Sequence, residues 1–174
     1  MTRRRIALGL LGLGLATWGG LRARLTFGLL PERLTLIFDG SCDFCTRAVR
    51  LVRAIDRQGR ITIAPFQKPS FPESHGLTTA QGEQSIWAIT PDGFTYPAAA
   101  AANLTAATAL GTALPLWLYA IPGVTATQEA AYHFIASIRS RIPGDTPYCE
   151  QYPEECGKAS NTAANTTQIE AVGG

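Results

Sequence analysis

Residues 38–45 read FDGSCDFC, an Asp-Gly turn followed by two cysteines with two residues between them. Two thiols at that spacing can close a disulfide across one helical turn, supply half of a zinc site, or sit as small buried residues. The flanking pattern bears on the choice. An apolar run leads into the turn, and a helical pattern leads out of it. Cys42 is therefore expected at a helix N-terminus, where unpaired backbone N–H groups and the positive end of the dipole stabilise a thiolate. Cys45 lies nearly one turn on, within reach of Cys42 and on the apolar face. The implied division has Cys42 attacking a partner disulfide and Cys45 resolving the mixed disulfide.

Two acidic neighbours qualify this. Asp43 beside Cys42 opposes thiolate formation, and the arginines nearby are expected to offset it in part. Asp39, three residues before Cys42, reads in two ways. It is either a partly desolvated proton acceptor with a raised pKa, serving the buried thiol, or a turn residue bonded to its own loop. Cys149 and Cys156 enclose the acidic segment CEQYPEEC. They fit a second disulfide, a shuttle exchanging with the first pair, or unpaired thiols. Zinc held by all four cysteines is the rival to redox chemistry, although a Cys-x6-Cys spacing is wider than closed zinc sites use. His75 and His133 read as surface or packed residues, and Trp87, Trp117, Phe66 and Phe94 as core.

The elements that must position the pair follow from periodicity. LTLIFDG (34–40) is a buried strand. In CDFCTRAVRLVRAIDRQG the apolar positions Cys45, Ala48, Val49, Val52 and Ile55 repeat at helical spacing, with Arg47, Arg50, Arg53 and Arg57 opposite and Gly59 expected as a left-handed cap. RITIAPFQ (60–67) returns as a strand, giving a βαβ unit. KPSFPESHGLTTAQGE reads as loop. SIWAIT and FTYPA read as strands joined by a PDG turn. Residues 98–118 read as helix interrupted near Gly111 and Pro115. A further helix runs from Thr125, with Ala131, Phe134, Ile135 and Ile138 on one face, and Gly144 and the prolines after it end regular structure.

The chain has 174 residues, 46% of them hydrophobic and 16% charged, enough for a packed core in one domain. A net charge of +2 gives no reason to invoke nucleic acid. Residues 1–30 form a segment of their own, in which three arginines precede an uncharged apolar run at 6–21. That run fits membrane association through a single N-terminal helix, with the domain (31–157) expected on the extracytoplasmic side and the cytoplasmic face the alternative. The polar stretch 158–174 is expected to be disordered.

The pattern Asp39-Gly40-x-Cys42-x-x-Cys45 resembles the DCC thiol-disulfide oxidoreductases. The likeness continues through AIDRQGRITIAPFQ to IPGVTATQEAAYHFIASIRSRIPG, where Pro122, Tyr132, Arg139, Arg141 and Gly144 match the family's habits, and spans residues 34–149. The resemblance implies a thioredoxin-like α/β fold: a central mixed sheet with flanking helices and a helical C-terminal part, here with an added N-terminal hydrophobic helix. It also implies exchange with a protein or small-molecule thiol or disulfide through Cys42 and Cys45. No cofactor and no metal are expected. Thioredoxins place a cis-proline ahead of the third strand. TAQGEQSIW has none, so Gln84 or Ser85 takes that place or substrate docks differently. The expected activity is that of a protein-disulfide reductase; the alternatives are a zinc-binding four-cysteine module and a catalytically silent membrane-tethered scaffold.

Overall fold

The computed structural model describes residue 22 and residues 30–157. The N-terminal apolar run and the polar stretch after residue 157 lie outside the described residues, as does the expected membrane helix. Among the described residues no helix is long and apolar enough to cross a membrane.

Strand β1 (Leu34–Phe38) leads through the Asp-Gly turn into helix α1 (Asp43–Ile55), and the chain returns as β2 (Ile61–Pro65). Strands β1 and β2 pair in parallel, Leu34 opposite Ile61 through Phe38 opposite Pro65. Two short helices follow, α2 (Phe71–Ser74) and α3 (Thr79–Gln84), and then the antiparallel strands β3 (Trp87–Ile89) and β4 (Thr95–Pro97). Strand β3 pairs antiparallel with β1, so the mixed sheet runs β2-β1-β3-β4. The C-terminal part is helical: α4 (Ala98–Leu110), α5 (Leu114–Tyr119), α6 (Val124–Ile138), a 3-10 turn at Arg139–Arg141, α7 (Tyr148–Gln151) and a last 3-10 turn at Pro153–Cys156.

The central strand is buried on both faces, which is why it reads as a continuous apolar run. Leu36 and Phe38 pack with Cys45, Val49, Tyr148 and Cys149, while Leu34 packs with Ala88, Ala99 and Leu104. On the opposite side Ile37 meets Leu77 and Ile89.

Three expectations require correction. Helix α1 ends at Ile55, not beside Gly59. Asp56 caps it, donating its backbone N–H to the Val52 carbonyl, and the Asp56 carboxylate accepts from the N–H groups of Arg60 (3.0 Å) and Ile61 (2.8 Å). Gly59 has φ +62° in the turn beyond. The stretch expected to be loop after β2 contains α2 and α3, because Pro72 starts one and a Thr78–Gln81 capping box starts the other. Phe94, at the tip of the β3–β4 turn, and Trp117, on the outer side of α5, are exposed rather than core. No residue of α6 is buried, and Phe134 is 64% exposed. Polar contacts hold this helix. The Tyr132 hydroxyl accepts from the Ile86 N–H (2.9 Å), and Asn103 donates to Gln128 (2.6 Å).

Candidate functional site

Cys42 is the N-cap of α1, with extended backbone (φ −102°, ψ 122°), and its Sγ accepts a hydrogen bond from the Cys45 N–H at 3.1 Å. A first-turn amide donating to sulfur is the interaction that favours a thiolate at this position. Cys45 is buried, 7% exposed, and Cys42 is half-buried above it. The two are paired as a disulfide, with 5.2 Å between their Cα atoms. Thr46 fixes the first turn from beneath: its backbone N–H and its hydroxyl both donate to the Cys42 carbonyl at 3.0 Å, and the same hydroxyl accepts from the Tyr148 N–H at 3.0 Å.

The C-terminal segment clamps this turn. The Cys149 N–H donates to the Gly40 carbonyl (2.9 Å), and the Asp145 N–H donates to the Asp43 carbonyl (3.1 Å). Gly40 must be glycine for this approach, because a Cβ there would stand 2.6 Å from the Cys149 sulfur and 2.8 Å from Pro65. A Cβ on Gly144 would collide with the Asp43 backbone. Cys149 and Cys156 close a second disulfide, Cα–Cα 5.5 Å, inside the same apolar cluster as Cys45. Among the described residues no group of three or more His, Cys, Asp and Glu side chains is placed to hold a metal ion.

Asp39 has several partners. Its Oδ1 accepts from the Ser41 N–H (3.0 Å) and from Gln67 Nε2 (2.8 Å), and its Oδ2 pairs with Arg139 at 3.3 Å. Arg139 also donates to the Glu83 carbonyl at 2.7 Å, and Gln67 Oε1 accepts from the Gly40 N–H at 3.0 Å. Two of the arginines on α1 are engaged elsewhere. Arg50 forms an ion pair with Asp145 (3.1 Å) and bonds Gln151, while the Arg53 guanidinium lies 5.9 Å from the Tyr148 ring centre. The charges of these two are thus directed at the C-terminal segment. Tyr148 packs edge-on against Phe38 at 5.3 Å; burial, together with its hydrogen bond to Glu155 and the charge of that residue, pushes its hydroxyl up to about 12.

Ahead of β3, where a thioredoxin carries its cis-proline, Ser85 and Ile86 occupy the approach, and the described residues contain no cis peptide bond. The Ser85 hydroxyl accepts from the Ala98 N–H at 2.9 Å. Beside the pair, between α1, α4 and α6, lies an apolar cavity of about 340 Å³ lined by residues that include Cys45, Ile86 and Arg139.

Sequence reasoning singled out Asp39, Cys42 and Cys45, and the structure has Asp39 on the β1–α1 turn, Cys42 as the N-cap of α1 and Cys45 in its first turn. It missed Gln67, the Arg139 ion pair, Thr46 and the clamp from residues 144–149. Gln67 lies two residues past β2, and Arg139 follows the last residue of α6; no local spacing announces either partnership.

No curated protein and no solved structure matches the chain. The family model of the DCC1-like thiol-disulfide oxidoreductases matches residues 36–145, which begin within β1 and take in the cysteine pair, β2 to β4 and Arg139. That match covers well over half of the chain and includes the turn on which Cys42 and Cys45 sit, so this protein belongs to the DCC1-like thiol-disulfide oxidoreductase family.

Proposed function

We propose that the chain is a thiol–disulfide oxidoreductase of protein-disulfide reductase type, with a thioredoxin-like arrangement of sheet and helices, working through Cys42 and Cys45. The observation that carries this is the Cys45 N–H donating to the Cys42 sulfur at the start of α1, with the second sulfur buried beneath it. In the reduced protein the Cys42 thiolate attacks a substrate disulfide, forming a mixed disulfide and releasing one substrate thiolate. Cys45 gives up its proton and attacks the Cys42 sulfur. The internal disulfide closes, and the second substrate sulfur leaves and takes up a proton. Asp39 is the proposed acceptor of the Cys45 proton, and Arg139, Gln67 and the Ser41 N–H hold its carboxylate in place. The apolar run at 6–21 is the proposed membrane tether, with the domain on the extracytoplasmic side.

The test is the pH dependence of Cys42 alkylation in the reduced full chain with Cys45, Cys149 and Cys156 changed to serine. The expected apparent pKa lies below the ordinary thiol value of about 8.5. A value at or above it would remove the helix-start argument.

A further inference from the structure

The cavity beside the cysteine pair is bordered by one of its two residues. Cys45 is among its lining residues and Cys42 is not. Leu36 and Phe38 of β1 and Phe44 of α1 make its inner wall, and Ile135 of α6 stands across from them. Thr105 of α4 also lines it; this side chain is 2% exposed and its hydroxyl has no hydrogen-bond partner among the described residues. That oxygen is itself buried, so the wall the cavity presents here is apolar. The mouth is apolar too: Leu51 and Ile135 line the cavity and are 64% and 40% exposed.

We propose that this cavity admits a small lipophilic thiol reductant, an alkyl-chain dithiol, that recharges the oxidised pair by attacking Cys45. The proposal rests on the reductase reading above, because a reductase whose disulfide has closed must be reopened by an electron donor. A peptide thiol such as glutathione carries charges that would lose their hydration among these walls, where the charged lining residue, Arg139, is already paired with Asp39. An alkyl thiol loses no such hydration, and burying its chain is favourable.

The route also gives the better leaving group. When a thiolate in the cavity attacks the Cys45 sulfur, the Cys42–Cys45 bond breaks and Cys42 departs as the thiolate. Cys42 is the sulfur that the Cys45 N–H and the start of α1 stabilise, and a stabilised thiolate leaves faster. The ligand's second thiol then attacks its own bound sulfur, closing a cyclic disulfide. Its proton passes to Cys45, which leaves as the thiol. Two electrons have moved from the ligand to the pair. Protein substrates meet the half-buried Cys42 from outside, so the two half-reactions use opposite sides of one disulfide.

The experiment treats the oxidised full chain with 1-octanethiol, which can make the first attack and cannot complete the second, and in parallel with glutathione. Newly freed thiols are trapped at once with iodoacetamide, and peptide mass spectrometry reads which cysteine carries which group. The expected result is octanethiol on Cys45 with alkylated Cys42, and glutathione on Cys42. Ala106→Phe, which fills the cavity, and Leu51→Glu, a surface change at its mouth, are each expected to slow the octanethiol reaction about tenfold, the equivalent of about 1.4 kcal/mol. The glutathione rate is expected to stay within about twofold. Leu51 is exposed, so that variant tests the mouth without loading the core. Octanethiol on Cys42, or rates indifferent to both variants, would overturn the inference and leave the reductase reading standing. Failure of octanethiol alone would also overturn the inference, and failure of both thiols to open the Cys42–Cys45 bond would overturn both readings.

Discussion

Thr46→Val tests whether the cysteine turn is held by the distant C-terminal segment. Valine matches threonine in shape, so the change opens no cavity and removes only the hydroxyl. That hydroxyl donates to the Cys42 carbonyl and accepts from the Tyr148 N–H, both at 3.0 Å, in a side chain 2% exposed. The Cys42 carbonyl keeps its bond from the Thr46 N–H, so the loss there is about 1 kcal/mol. The Tyr148 N–H is left buried without an acceptor, which costs about 1–3 kcal/mol. The extra methyl returns a little under 1 kcal/mol of apolar burial. The net expectation is a loss of about 2 kcal/mol. For a chain of this size that is a fall in Tm of roughly 4–8 °C. Urea unfolding of the oxidised protein followed by circular dichroism measures it, and Thr46→Ser, which keeps the hydroxyl, is the control. A Thr46→Val protein within about 0.5 kcal/mol of the parent, or a serine variant less stable than the valine one, would refute the reasoning.

Other consequences are open to direct measurement. Gly144→Ala drives a Cβ into the Asp43 backbone and is expected to cost about 1–3 kcal/mol in urea unfolding, or to shift the start of α1. Replacing both Cys149 and Cys156 with serine opens a short loop and is expected to lower stability by about 2.5 kcal/mol on loop-entropy grounds, read from the denaturation midpoint. Tyr148 titrates near 12 when folded, against 10 for a free tyrosine. Its contribution is therefore complete below pH 10 and is lost as pH rises towards 12. The parent should lose stability faster than Tyr148→Phe across that window, as judged by parallel urea midpoints.

The strand–turn–helix unit was legible because its signals are local. LTLIF is a β-branched and leucine run, Asp39-Gly40 ends it, and Cys45, Val49 and Val52 keep a helical period. The β3–β4 pair was legible for the same reason, with PDG between its strands. Helix α3 carried a readable signal in the Thr78–Gln81 capping box, but the glycine and prolines around it argued for loop. The apolar stripe on α6 was legible as a stripe, and what it faces was not. Periodicity reports that a face is apolar and not what stands opposite it, and opposite Ile135 there is a cavity. Gln67, Arg139, Thr46 and Gly144 were illegible as site residues because their partners lie far off in the chain. The roles proposed for Asp39, Cys42 and Cys45 came from their spacing, and the alkylation experiment decides the first of them.

The bond from the Tyr148 N–H to Thr46 joins residues 102 positions apart. A chain made from its N-terminus therefore delivers both thiols of the first pair long before the segment that fastens their turn. At about 5–20 residues per second, that interval is roughly 5–20 s. Throughout it the Gly40 carbonyl and the Thr46 hydroxyl face solvent instead of the Cys149 and Tyr148 amides. The oldest cysteines in the nascent chain thus receive their final setting last, and the finished reaction centre appears only when synthesis has passed Cys149.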